Sequence, residues 1–130
     1  METTTFASAA AFDTWLADNY TLYEGIWIKM AKVKSGIPSI TSDEAVDVGL
    51  CWGWISGQRK SLDDTYYLQK YVPRRKRSIW SQVNVAKVAA LTRAGRMQAP
   101  GLAEVAAAKA DGRWDAAYSS RRDPASTSSI

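Results

Sequence analysis

The sequence predicts an α+β fold, an antiparallel sheet of about four strands packed with helices. Three observations lead there. Glu24–Lys32 and Thr65–Val72 alternate their side chains with period two, while segments toward both ends repeat apolar residues at helical spacing. With 130 residues, 46% of them hydrophobic, and six Trp, the chain can fill one core. A domain of this size buries roughly two-thirds of its unfolded surface, so disulfides and metals are not needed for stability.

The elements follow in order. Ser8–Ala17 places Ala11, Phe12, Trp15 and Leu16 on one helical face, with Ser8 as N-cap and Asn19 closing the helix. Glu24–Lys32 sets Ile26, Ile28 and Met30 on one side of a strand and Trp27 and Lys29 on the other. Gly36 and Pro38 mark a turn. Thr41 and Glu44 have capping-box spacing, which starts a helix from about Ser42 to Leu50. CWGWIS then reads as a strand, Gly57 as a tight turn and QRKSL as the return strand. On that reading Trp52 and Trp54 share one side of a strand. Asp63 and Asp64 mark the next turn, TYYLQKYV the last strand, and Pro73 its end, because proline denies the ladder a donor.

Beyond the strands the pattern is helical. Ser78 or Ser81 caps a short turn carrying Trp80, and Asn84 is the expected N-cap of VAKVAALTRAG, with Gly95 at C′. GLAEVAAAKADG is a second helix, ended by Gly112. The expected arrangement is a four-strand meander with helices before, within and after it. It forms one domain over residues 1–118, followed by a polar, disordered tail over 119–130.

Composition restricts the chemistry. The chain has no histidine. Ser–His and Cys–His nucleophiles, histidine zinc sites and the commonest neutral-pH base are therefore excluded. GxxxxGK[ST], GxGxxG and CxxC are absent, so no cofactor and no metal is expected. Candidate catalytic carboxylates reduce to Asp63 and Asp64 in a turn and Asp111 and Asp115 around GRW. Cys51, the single cysteine, lies in an apolar run and reads as a buried thiol in a reducing compartment. No stretch reaches the roughly 18 apolar residues of a membrane helix, and METTTFASAAAF lacks the basic start and apolar run of a signal peptide. A cytoplasmic protein that does not insert into membranes is expected.

The charge distribution says more than the net charge of +4. Arg74, Arg75, Lys76 and Arg77 form an uninterrupted basic run after Pro73. Like charges so close repel, and an anionic partner relieves that repulsion. Aromatic residues lie nearby, and rings beside arginines can stack bases or cationic groups. The expected site is an anionic group gripped by Arg74, Arg75, Lys76 and Arg77, against an apolar wall of Trp80, Trp54 and Tyr71. Pro73, Ser81, Asn84 and Gly57 give the segment its shape. The partner is an unidentified anionic ligand or protein. Nucleic acid bound through the same loop is the alternative, and an enzyme using the Asp carboxylates a more distant one.

The motifs CWGWISGQRKSLD, YYLQKYVPRRKRSIWSQVN, LTRAGRM and GLAEVAAAKADGRWDAAY, in that order, closely resemble the YdeI/OmpD-associated family, often labelled bacteriocin-protection proteins. The resemblance runs from about Phe12 to Tyr118. Two departures stand out. The family usually reads W-I-D-G where this chain has Trp54-Ile55-Ser56-Gly57, so no role of that carboxylate carries over. Family members also commonly continue into an Ala-, Lys- and Arg-rich helical module, where this sequence reads DPASTSSI. The resemblance implies a non-enzymatic role in tolerance of bacteriocins or antimicrobial peptides, or in stress response. It brings no established catalytic mechanism.

Overall fold

The structure is a computed structural model and describes residues 3–118. The fold is α+β, as the sequence predicts, with four α-helices and a four-stranded sheet among the described residues. The expected tail, 119–130, lies outside the described residues.

Helix α1 (Ala9–Asn19) starts where Ser8 Oγ accepts the Ala11 N–H, and Asn19 closes it by donating to the Trp15 carbonyl. Strand β2 (Ile26–Ala31) follows, then a 3-10 turn (Val33–Ser35) ending at Gly36. Helix α2 (Ser42–Cys51) carries the complete Thr41/Glu44 capping box. Each side chain satisfies an orphan backbone donor of the first turn, an arrangement worth about 1 kcal/mol. Strands β3 (Trp54–Ser61) and β4 (Tyr66–Pro73) form the central hairpin. Helices α3 (Gln82–Arg93) and α4 (Ala99–Ala110) complete the described chain. Both later glycine stops are present, with Gly95 and Gly112 at positive φ one residue past the caps. After α3, Gly95 N–H donates to Thr92 and Arg96 N–H to Leu91, the paired bonds of a Schellman stop.

The sheet is not the expected antiparallel meander. Strand β1 (Thr3–Thr4) runs parallel to β2, and the strand order is β1-β2-β4-β3. A two-residue strand carries no periodicity, and only its distant partner defines it. CWGWIS and QRKSL are not two strands about a turn at Gly57 either. Cys51 ends α2, Trp52 caps it, and a single strand runs from Trp54 to Ser61. At Gly57 the register against β4 shifts between Ser56 and Arg59, a bulge. Gln69 holds that bulge from the neighbouring strand. Its Nε2 donates to the Gly57 and Gln58 carbonyls at 2.9 and 3.2 Å, and its Oε1 accepts Arg59 Nε. Trp52 and Trp54 therefore do not share a strand. Gly53, at φ 79°, turns the chain between them.

Two apolar clusters meet on α2. Ala45 and Val48 face Phe12 and Leu16 of α1 and Ile28, Met30, Trp54 and Tyr71 of the sheet. Leu50 and Cys51 face Trp80, Val88 and Leu91 of the α3 region and Val105 and Ala108 of α4. Lys87 of α3 bridges Asp43 and Asp47 of α2 at 2.7 and 2.9 Å, joining the helices at their polar edge. Among the described residues, no helix is long and apolar enough to cross a membrane.

Candidate functional site

Strand β4 delivers the basic run into a loop, residues 74–81, that is bonded at several points. Arg74 N–H donates to the Gly53 carbonyl at 2.9 Å. Ser78 closes a turn on Arg75, its Oγ accepting Arg75 N–H at 2.8 Å and its N–H donating back to the Arg75 carbonyl at 3.0 Å. From the C-terminal side, Arg113 Nη1 donates to the Ser78 carbonyl at 2.7 Å, and Tyr118 N–H to the Trp80 carbonyl at 3.0 Å. The loop is ordered before any ligand arrives.

The four cations are not equivalent. Arg74 is only 7% exposed. Its guanidinium lies 3.5 Å from the centre of the Trp80 ring, and Nη1 donates to the Ile79 carbonyl. Burial lowers its pKa to about 10, against the upward pull of Glu104. Nε and Nη2 have no hydrogen-bond partner among the described residues. Arg74 is thus an internal post that fixes Trp80 and the loop, not a surface grip. Arg75, Lys76 and Arg77 are exposed. Arg75 lies over the Tyr23 ring at 4.2 Å and donates to the Tyr23 hydroxyl. Among the described residues, no carboxylate pairs with Arg75, Lys76 or Arg77.

The expected apolar wall is not at the surface. Trp54 and Tyr71 are each 1% exposed and belong to the α1–α2–sheet core, with Trp54 Nε1 donating to the Tyr20 carbonyl. Trp80 is also buried, edge-on to Trp114 at 5.0 Å. The alternation of β4 places Tyr71 on the helix-packed side, because it pairs with Ile26. The helix cap also moves. Ser81 is the N-cap of α3, and its Oγ accepts the N–H of Asn84, which sits inside the first turn. Pro73 ends β4 as expected, and Gly57 is the bulge described above.

The structure adds a surface that the basic run concealed. On the sheet face opposite the helices, register brings together Trp27 and Lys70, Lys29 with Leu68 and Lys60, and Tyr66 beside Ala31. Lysine ammoniums lie over the rings. Lys60 and Lys70 are 4.8 and 5.4 Å from the Trp27 centroid, and Lys29 is 4.3 Å from that of Tyr66. The signal was present as the period-two partner of the core face, Trp27–Lys29 and Tyr66–Leu68–Lys70. What the sequence could not give was the strand order that sets Lys60 beside them.

Of the four candidate carboxylates, Asp63 and Asp111 are in structural use. Asp63 Oδ1 accepts the N–H groups of Thr65 and Tyr66 at 2.8 Å, and those bonds lower its pKa. Asp111 accepts from Arg113, first through the backbone N–H and then through the guanidinium, and its pKa is likewise lowered. Cys51 is a buried thiol outside any disulfide, and burial raises its pKa to about 11, which suits packing and not nucleophilic attack.

Comparisons with curated proteins and with solved structures return no significant match. The model of one family, described as Domain of unknown function (DUF8412), matches residues 4–104. That span contains the basic loop, the open sheet face and the whole central hairpin. The chain belongs to the DUF8412 family.

Proposed function

We propose that this domain is a non-enzymatic binding module that holds an anionic group on the loop formed by Arg75, Lys76 and Arg77. One observation carries the reading: three exposed cations stand on a bonded turn with no carboxylate partner among the described residues. Their mutual repulsion is a standing cost that an anion removes, and the ordered backbone reduces the entropy lost on binding. Arg74 supports the loop from beneath. The lack of histidine and the structural engagement of Asp63 and Asp111 favour binding over acid–base catalysis.

The link to bacteriocin or antimicrobial-peptide tolerance belongs to the same proposal and rests on the motif resemblance to YdeI/OmpD-associated proteins. A basic loop repels a cationic peptide, so protection would act through an anionic partner or regulator. The test is a thermal-shift series with inorganic phosphate, nucleoside phosphates, a polyglutamate peptide and heparin, repeated on Arg75→Ala/Lys76→Ala/Arg77→Ala. A true ligand at 100 times its dissociation constant stabilises the wild type by about 2.7 kcal/mol. The triple variant should lose that gain while keeping its unliganded stability. Equal shifts in both proteins refute the loop as the site.

A further inference from the structure

The open face of the sheet has the composition of a base-stacking platform, and the geometry points to a single-stranded nucleic acid as its occupant. This surface is distinct from the anion-binding loop and needs its own test. The helices α1 and α2 pack on the face carrying Ile28, Met30 and Tyr71. The other face presents the rings of Trp27 and Tyr66, set among Lys29, Lys60 and Lys70 and half-buried Ile55 and Val72. Among the described residues, none of these three lysines has a carboxylate partner.

A face with three unpaired cations and two rings matches a ligand that is both polyanionic and aromatic. Each lysine now rests on a ring, a weak contact at an exposed site. When a strand binds, the ammoniums swing to the phosphates and leave the ring faces to the bases, which stack more strongly than the lysines did. Trp27 and Ala31, the partner of Tyr66, are four positions apart on β2, about 13 Å along the strand, so the rings serve separate bases. Duplex DNA keeps its bases stacked on one another and cannot use either ring.

The surroundings give the track a direction. At the far end, Asp63 and Asp64 stand in the β3–β4 turn and repel a backbone. At the near end, Trp27 and Lys70 line a recess of about 470 Å³ with Thr4, Trp15, Leu22 and Glu24. Glu24 disfavours a phosphate there and can accept from a base amino group. Tyr23, just before this recess, carries Arg75, so the track runs toward the basic loop.

The experiment is fluorescence anisotropy of a labelled mixed-sequence single-stranded DNA, titrated with the full chain at several salt concentrations. Parallel arms use the same sequence as RNA, the DNA duplex, and vesicles of phosphatidylserine. The single strand should bind more tightly than the duplex, with a log–log salt slope of about −2 for three lysine–phosphate contacts. Trp27→Leu should weaken binding about tenfold with the slope unchanged. Lys60→Gln/Lys70→Gln should reduce the slope by about 1.4, and both positions are on the surface, so the fold is not at stake. Equal affinity for duplex, a silent Trp27→Leu, or binding to the vesicles alone overturns the platform. The triple loop variant, run alongside, separates the sites. If it loses binding while the Trp27 and lysine variants do not, the loop reading stands and the platform falls.

Discussion

Arg74 shows how little a residue's neighbours in sequence reveal about its role. It is the first of four consecutive cations, yet it is the one that is buried. Its backbone is bonded to Gly53 and its guanidinium lies 3.5 Å from the centre of the Trp80 ring. A buried charge with two unsatisfied donors costs free energy, and stacking on an indole returns part of it. The volume of the side chain matters more here than its charge. Arg74→Met should therefore stay within about 1 kcal/mol of wild type, whereas Arg74→Ala should lose about 3 kcal/mol through the cavity it opens. Urea denaturation of both variants checks this, and a large loss in the methionine variant would show that the charge itself is needed. Trp54 and Tyr71 teach the same lesson. Their chemistry suits a binding wall, but strand alternation turns both toward the helices.

At the scale of elements, local signals located the helices well. Ser8, Thr41 with Glu44, Gly95 and Gly112 act through bonds to their immediate neighbours, so sequence spacing suffices to read them. Elements that depend on remote partners were misread. Gly57 resembles a turn until Gln69, twelve residues on, bonds the bulge and lets the strand continue. The start of α3 is a local case: Ser81, three residues before Asn84, is the cap, and both residue types suit that place. The contact of α2 with α4 is also non-local. A Cβ on Gly101 would stand 2.3 Å from the Cys51 carbonyl oxygen and 2.6 Å from that of Leu50. The Gln98 N–H donates to that same Cys51 oxygen at 2.9 Å, so the two helices cannot separate cheaply. Gly101→Ala should destabilise by about 3 kcal/mol although alanine is intrinsically the better helix former by about 1 kcal/mol. A rise in the urea midpoint would show that propensity outweighs this contact.

For the molecule as a whole, the buried acids Cys51 and Tyr71 should weaken the fold at alkaline pH. Burial raises the pKa of Cys51 from 9.0 to about 11, and also raises that of Tyr71. The folded state therefore keeps these protons at a pH where the unfolded chain has begun to release them. Their contribution is fully present below the unfolded pKa values and is lost as pH rises through the folded ones. Between about pH 9 and 10 the Cys51 effect dominates. The urea midpoint should fall from pH 8.5 to pH 10, and Cys51→Ala should flatten that fall. An unchanged slope in the variant would place the alkaline transition elsewhere.

The sequence by itself determined the α+β class, the four α-helices to within a turn, the alternating strands β2 and β4, and the exclusion of histidine chemistry. Those properties follow from periodicity, caps and composition, which act over a few residues. Tertiary structure alone decided the strand order, the parallel pairing of Thr3–Thr4, and the division of the basic run into one buried arginine and three exposed cations. It also brought the Lys60 ammonium across β4 to the Trp27 ring. Each of those depends on residues far apart in the chain meeting in one register, and local sequence carries no record of which distant backbone will be its partner.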